Sequence, residues 1–152
     1  MDFQCTIEEQ QARPTLCVKT HAPVTAMATV LGQAFSELMG VISAQGAQVV
    51  GAPYVAYRNM DMNDLDMEIG FPVSRPVEGR GRAVPGSLPA GAWASTLHVG
   101  PYDKVGPAWA ALERFITATG HAIGGPGYEF YFDGPETPPA QTRTRISFPL
   151  RN

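Results

Sequence analysis

The chain has 152 residues, 44% hydrophobic and 16% charged, with a formal net charge of −3; this size and balance suit one globular domain with its own core and exclude a disordered chain. Its 11 Lys and Arg residues are scattered, which argues against a nucleic-acid partner, and no uninterrupted apolar run approaches the roughly 18 residues needed to span a bilayer. The opening Met1-Asp2-Phe3-Gln4-Cys5-Thr6 lacks the basic and apolar stretches of a signal peptide, so a cytoplasmic protein with free, buried cysteines at Cys5 and Cys17 is expected.

In chain order, a first strand is expected over Phe3 to Glu9 and a second over Thr15 to His21. Pro23 then precedes a helix whose Met27, Val30, Leu31, Ala34, Phe35, Leu38, Met39 and Ile42 recur at three- and four-residue spacing. A Gly51-Ala52-Pro53 turn leads to a strand over Tyr54 to Arg58, a polar loop, and a strand ending Phe71-Pro72-Val73. The basic cluster Arg75, Arg80 and Arg82, with Glu78 and two glycines among it, reads as a solvated hairpin turn. A strand over Arg82 to Leu88 follows, turning back through Pro89-Ala90-Gly91.

From Ala92 the order recurs. There is a strand over Trp93 to Val99, Pro101, a helix striped by Val105, Trp109, Leu112, Phe115, Ile116 and Thr119, a Gly124-Gly125-Pro126 turn, a strand over Tyr128 to Phe132, a polar loop, and a strand ending Phe148-Pro149-Leu150. Pro107 fits the first turn of that helix, where its missing N–H has no partner to lose, and Gly120 is placed to end it. The pattern predicts an α+β fold made by duplicating one strand-helix-strand-strand unit, with pseudo-repeats at 1–75 and 82–150 of a single domain. Two such units bury their helix stripes by sharing a curved antiparallel sheet with both helices on one face. The other face is then the expected groove for a small ligand.

Alternation along Tyr128-Glu129-Phe130-Tyr131-Phe132 sends Glu129 and Tyr131 one way and the three rings the other. With the rings assigned to the helices, Glu129 and Tyr131 are expected to project into the groove. Trp93, Tyr54, Tyr57, Met60, Met62 and Tyr102 are candidate walls, and Glu68 occupies a corresponding strand of the first repeat. Each aromatic residue suits a core position equally well, and an acidic strand residue suits a solvated face. A carboxylate among rings is a costly charge that an incoming cation offsets, with cation–π attraction adding about 0.5 to 2 kcal/mol per ring. The same group could serve as a general acid, Tyr131 orienting water or substrate.

No cofactor or metal site is expected. The acidic run from Asp61 to Glu68 lacks the glycine and terminal Glu of a calcium loop, and His98 and His21 have no Cys or acidic partner at ligand spacing. Gly-x-Ser-x-Gly, the phosphate-binding Gly-x-x-x-x-Gly-Lys and zinc-spaced Cys pairs are absent; Gly79 and Gly81 make only a turn.

Leu88-Pro89-Ala90-Gly91, His98-Val99-Gly100-Pro101-Tyr102, Gly125-Pro126 through Tyr128-Glu129-Phe130-Tyr131, and Ile146-Ser147-Phe148-Pro149-Leu150 together resemble the GyrI-like small-molecule-binding family, similar to effector-binding halves of AraC- and MerR-type regulators. The resemblance implies the duplicated fold, a ligand cleft between the halves, and Glu129 as the acidic cleft residue with Tyr131 beside it. Regulators carry a helix-turn-helix ahead of this domain, whereas here nothing precedes Asp2, so a stand-alone sensing or sequestering domain is expected, monomeric or weakly dimeric. Trp93 stands where the family often has Tyr.

Three functions follow. The first is a binding module for a small, hydrophobic, drug-like organic molecule, cations included. The second, implied by relatives, is a hydrolase of strained cyclopropanoid electrophiles using Glu129 and Tyr131. The third is a gyrase-type protein inhibitor. Neither direct nucleic-acid binding nor a membrane partner is expected.

Overall fold

The repeated punctuation of the sequence becomes repeated secondary structure. The computed structural model describes residues 3–134 and 136–151. The chain forms β1 (Cys5–Gln10), β2 (Arg13–Ala22), α1 (Met27–Ala44), β3 (Tyr54–Tyr57), β4 (Leu65–Pro72), β5 (Ala83–Leu88), β6 (Gly91–Val99), α2 (Gly106–Ala118), β7 (Gly127–Tyr131) and β8 (Arg143–Pro149). It is an α+β fold of two compact units, Ala12–Pro89 and, from the two ends of the chain, Met1–Gln11 with Ala90–Asn152.

In the unit Ala12–Pro89 the strands run β3-β4-β2-β5, every pair antiparallel. Leu16 lies opposite Phe71, Val18 opposite Ile69 and Val55 opposite Ile69, which gathers these apolar side chains on one face. Onto that face α1 lays its Ala34, Leu38 and Ile42, and Phe35 meets Phe71 with ring centroids 5.1 Å apart. Val24–Ala44 is, by length and composition, apolar enough to cross a membrane, more so than the absence of an uninterrupted apolar run suggests. Its inner stripe packs on β2 and β4.

The unit containing the chain ends repeats the plan in the order β1-β6-β8-β7, again antiparallel throughout. Ala94, Ile146 and Phe148 of the sheet meet Ala108, Leu112 and Ile116 of α2, with Cys5 and Ile7 of β1 at the margin. Burying Leu112 and Ile116 contributes about 1.5–3 kcal/mol each. Pro107 stands in the first turn of α2, as its missing N–H predicts. Both helices end the same way: Gly46 and Gly120 take φ of 68° and 79°, and the next residues, Ala47 and His121, donate back to Ile42 and Ile116 oxygens at 3.2 and 3.0 Å. The first helix is the longer, 18 residues against 13.

The duplication is exact in register. Tyr54 faces Gly70 and Val55 faces Ile69 in one unit; Tyr128 faces Ser147 and Glu129 faces Ile146 in the other. One grouping departs from the order read along the chain. The strand ahead of each repeat does not pair with it: β1 is hydrogen-bonded to β6, and β5 to β2. Each extra strand thus completes the sheet of the other repeat.

Candidate functional site

The α2 core fixes which face of its sheet each residue occupies. Thr96, Ile146 and Glu129 form one row across β6, β8 and β7, and His98, Thr144 and Tyr131 form the next. Because Ile146 packs in the core under α2, Glu129 and Tyr131 lie on the helix side. The expectation that they project from the helix-free face is therefore corrected, and so is the assignment of Tyr128 and Phe130 to the helix.

On this face Glu129 is 9% exposed. Trp109 of α2 donates from Nε1 to Glu129 Oε2 at 2.9 Å, and the Tyr131 hydroxyl donates to Oε1 at 2.8 Å. Both oxygens of the carboxylate thus accept from aromatic donors. Tyr102 stands edge-on to Tyr131, centroids 5.5 Å apart and planes at 88°. Burial pushes the Tyr102 phenol upward, and the Asp133 and Glu129 carboxylates add to this, so it stays neutral at physiological pH. Asp133 accepts from the Arg143 guanidinium at 3.1 and 3.2 Å and from its backbone N–H at 2.7 Å, which fastens the end of the β7–β8 loop and holds the Asp133 carboxyl below its usual range.

Of the candidate residues, Glu129, Tyr131 and Tyr102 come together. Trp109, read from sequence only as part of a core stripe, joins them. Its signal was the stripe position one turn from Val105, but nothing in the sequence distinguishes an indole that packs from one that also donates. Trp93 lies on the opposite face of the same sheet, 4.9 Å from the Tyr128 ring and 6.5 Å from Phe130. Tyr57, Met60, Met62, Tyr54 and Glu68 belong to the other unit, where Met60 and Met62 are 68% and 49% exposed.

Glu68 and Tyr54 build a separate polar cluster on the face of their sheet away from α1. The Tyr54 hydroxyl donates to Glu68 Oε2 at 2.8 Å and lies 3.1 Å from Thr15 Oγ1, while Arg58 donates to Glu68 Oε1 at 3.1 Å. Burial first, and the Glu68 charge second, push the neighbouring Cys17 thiol up to about 12 and raise the Tyr54 phenol. A raised acid contributes its stability below the unfolded-state pKa and loses it as pH climbs toward the folded value. The urea midpoint should therefore hold steady to about pH 9 and then fall, with Cys17 alone contributing about 1.4 kcal/mol per pH unit. Cys17→Ala should flatten that decline, as equilibrium unfolding at pH 8 to 11 will show.

Among the described residues no group of three or more His, Cys, Asp or Glu is placed to hold a metal ion. What the α2 face offers is one buried carboxylate framed by an indole, two phenols and aliphatic core, an arrangement suited to an aromatic or cationic organic group.

A model of the GyrI-like small molecule binding domain matches residues 3–151. No curated protein is similar in sequence. Among solved structures the chain is similar to the C-terminal domain of EcmrR, at 20% identity and TM-score 0.84 with 99% of each chain covered. The longer EcmrR chain in a DNA complex matches at 19% identity and TM-score 0.87; this protein covers 57% of it and 98% of itself is aligned. A structure described as a hydrolase from Listeria innocua matches at 14% identity and TM-score 0.70, covering 97% of this chain and 92% of that one. SAV2435 bound to tetraphenylphosphonium matches at 15% and 0.67, covering 99% and 94%. At these identities the likeness establishes the fold.

Proposed function

Because this chain belongs to the GyrI-like small-molecule-binding domain family, related to the effector-binding domains of MerR regulators, we propose that it takes up hydrophobic, drug-like organic cations against Glu129, for sensing or sequestration. The observation that carries this reading is the burial of the Glu129 carboxylate between Trp109 and Tyr131. Trp109 and Tyr131 donate to it as neutral groups, and an incoming cation adds a charge that a desolvated carboxylate favours. Tyr102, Tyr131 and Trp109 supply ring faces for cation–π contact. The similar fold of a protein bound to tetraphenylphosphonium supports the same ligand class.

Titration of tetraphenylphosphonium, followed by quenching of Trp109 fluorescence in a Trp93→Phe background, tests it. Glu129→Gln keeps the shape while removing the charge, its amide oxygen still accepting from Trp109 and its amide nitrogen donating to a reoriented Tyr131 hydroxyl, and should weaken binding by about tenfold or more, equivalent to about 1.4 kcal/mol. Equal affinity in both proteins removes the carboxylate from the account.

A second reading is hydrolysis of a strained electrophile. In this reading a protonated Glu129 delivers its proton to the leaving atom as the strained bond opens, and the carboxylate so formed takes a proton from the attacking water, which Tyr131, within hydrogen-bond distance of Glu129, orients. The Listeria innocua hydrolase shares the fold. Catalytic turnover lost in Glu129→Gln favours this reading, and stoichiometric protection favours sequestration.

A further inference from the structure

Two buried polar atoms beside the candidate site have no protein partner: His98 Nδ1 and Thr144 Oγ1. Their residues are 5% and 0% exposed and are direct cross-strand neighbours on β6 and β8, in the row completed by Tyr131. The other imidazole nitrogen, Nε2, lies 2.9 Å from the Pro101 carbonyl oxygen. A carbonyl only accepts, so Nε2 carries the proton and Nδ1 of the neutral ring is left as a bare acceptor. Thr144 Oγ1 beside it can both accept and donate. Buried polar groups are otherwise satisfied almost everywhere in folded proteins, so two unpaired atoms in adjacent positions mark a place built for a third group.

Resting on the binding reading above, we propose that His98 and Thr144 form a polar subsite for a hydroxyl group, which donates to His98 Nδ1 and accepts from the Thr144 hydroxyl. The same chemistry comes from two sources, a solvent water or a hydroxyl carried by the ligand. With strands about 4.8 Å apart and residues about 3.4 Å apart along them, the subsite lies on the order of 10 Å from the Glu129 backbone. That spacing selects organic cations bearing a hydroxyl at the far end of one aromatic ring over cations that are apolar throughout. His98 and Thr144 are then specificity-determining residues: Glu129 reads the charge, and this pair reads the hydroxyl.

The test compares phenylethyl-trimethylammonium with its para-hydroxy derivative, which differ only in the donor. Wild type should bind the hydroxylated cation about five- to tenfold more tightly. Thr144→Val, which keeps the shape of the side chain, should erase most of that preference, read as the ratio of the two affinities; His98→Phe should do the same. Equal affinities in wild type, or a preference that survives Thr144→Val, overturn the ligand arm and leave water as the occupant. If neither cation binds, the Glu129 reading fails by itself, and the subsite is judged by ¹⁵N NMR of His98 in ligand-free protein. A neutral Nε2–H tautomer whose Nδ1 shift shows an accepted hydrogen bond, altered in Thr144→Val, supports the subsite. A bare Nδ1 or the opposite tautomer overturns it.

Discussion

Gly127→Ala is expected to strip the candidate site of its indole and to destabilise the protein in the same step. A Cβ at position 127 falls 2.6 Å from Trp109 Cη2 and 2.9 Å from Phe148 Cε1, well inside contact distance. Trp109 has little room to retreat, since its ring stands 5.4 Å from that of Phe148 and its Nε1 is bonded to Glu129. Overpacking of this kind costs about 1–3 kcal/mol, a fall in melting temperature of about 3–10 °C for a chain of this size. If the indole swings aside, Glu129 loses one of its donors and the cation affinity falls with it. A double variant with Trp109→Leu separates the two effects: stability should largely return while affinity does not. Unchanged melting and binding in Gly127→Ala would place Trp109 elsewhere.

Gly70→Ala should be worse for stability and act in the other unit. The added carbon would lie 2.7 Å from the Tyr54 hydroxyl, 2.8 Å from its Cζ and 2.9 Å from the Leu16 backbone oxygen. Tyr54 is fully buried and bonded to Glu68, and the Leu16 oxygen belongs to the neighbouring strand, so neither neighbour yields cheaply. A loss of about 3 kcal/mol and about 10 °C in melting temperature is expected by calorimetry. Tyr54→Phe should not rescue it, because the backbone oxygen and ring remain in the way and Glu68 then loses a donor.

The repeat and its turns were legible because proline and glycine fix backbone choices that few other residues can make, whereas the pairing of β1 with β6 and of β5 with β2 was not. Phe71-Pro72-Val73 and Phe148-Pro149-Leu150 hold equivalent places, and both helices stop at the glycines that allow a positive φ. The direction of Glu129 was not legible. Hydrophobicity assigns Tyr128 and Phe130 to the helix, yet in the structure they are 5% and 8% exposed on the opposite face, beside an equally buried Trp93. Where both faces of a sheet are covered, apolar and polar residues no longer sort by side, and alternation alone leaves the direction undetermined. Comparison of the copies locates the exception: Val55 occupies in the first repeat the register position that Glu129 holds in the second, so the carboxylate replaces a core residue. Trp109 was hidden for a related reason, since a stripe of large residues predicts packing and not what the indole N–H meets.

The exchange of β1 and β5 between repeats bears on synthesis. Strand β1 has no partner until β6 follows it from the ribosome, and Thr96 donates to the Gln4 carbonyl across 92 residues. Such distant closure slows folding, and a nascent chain halted before β6 would expose an unpaired sheet edge to its neighbours.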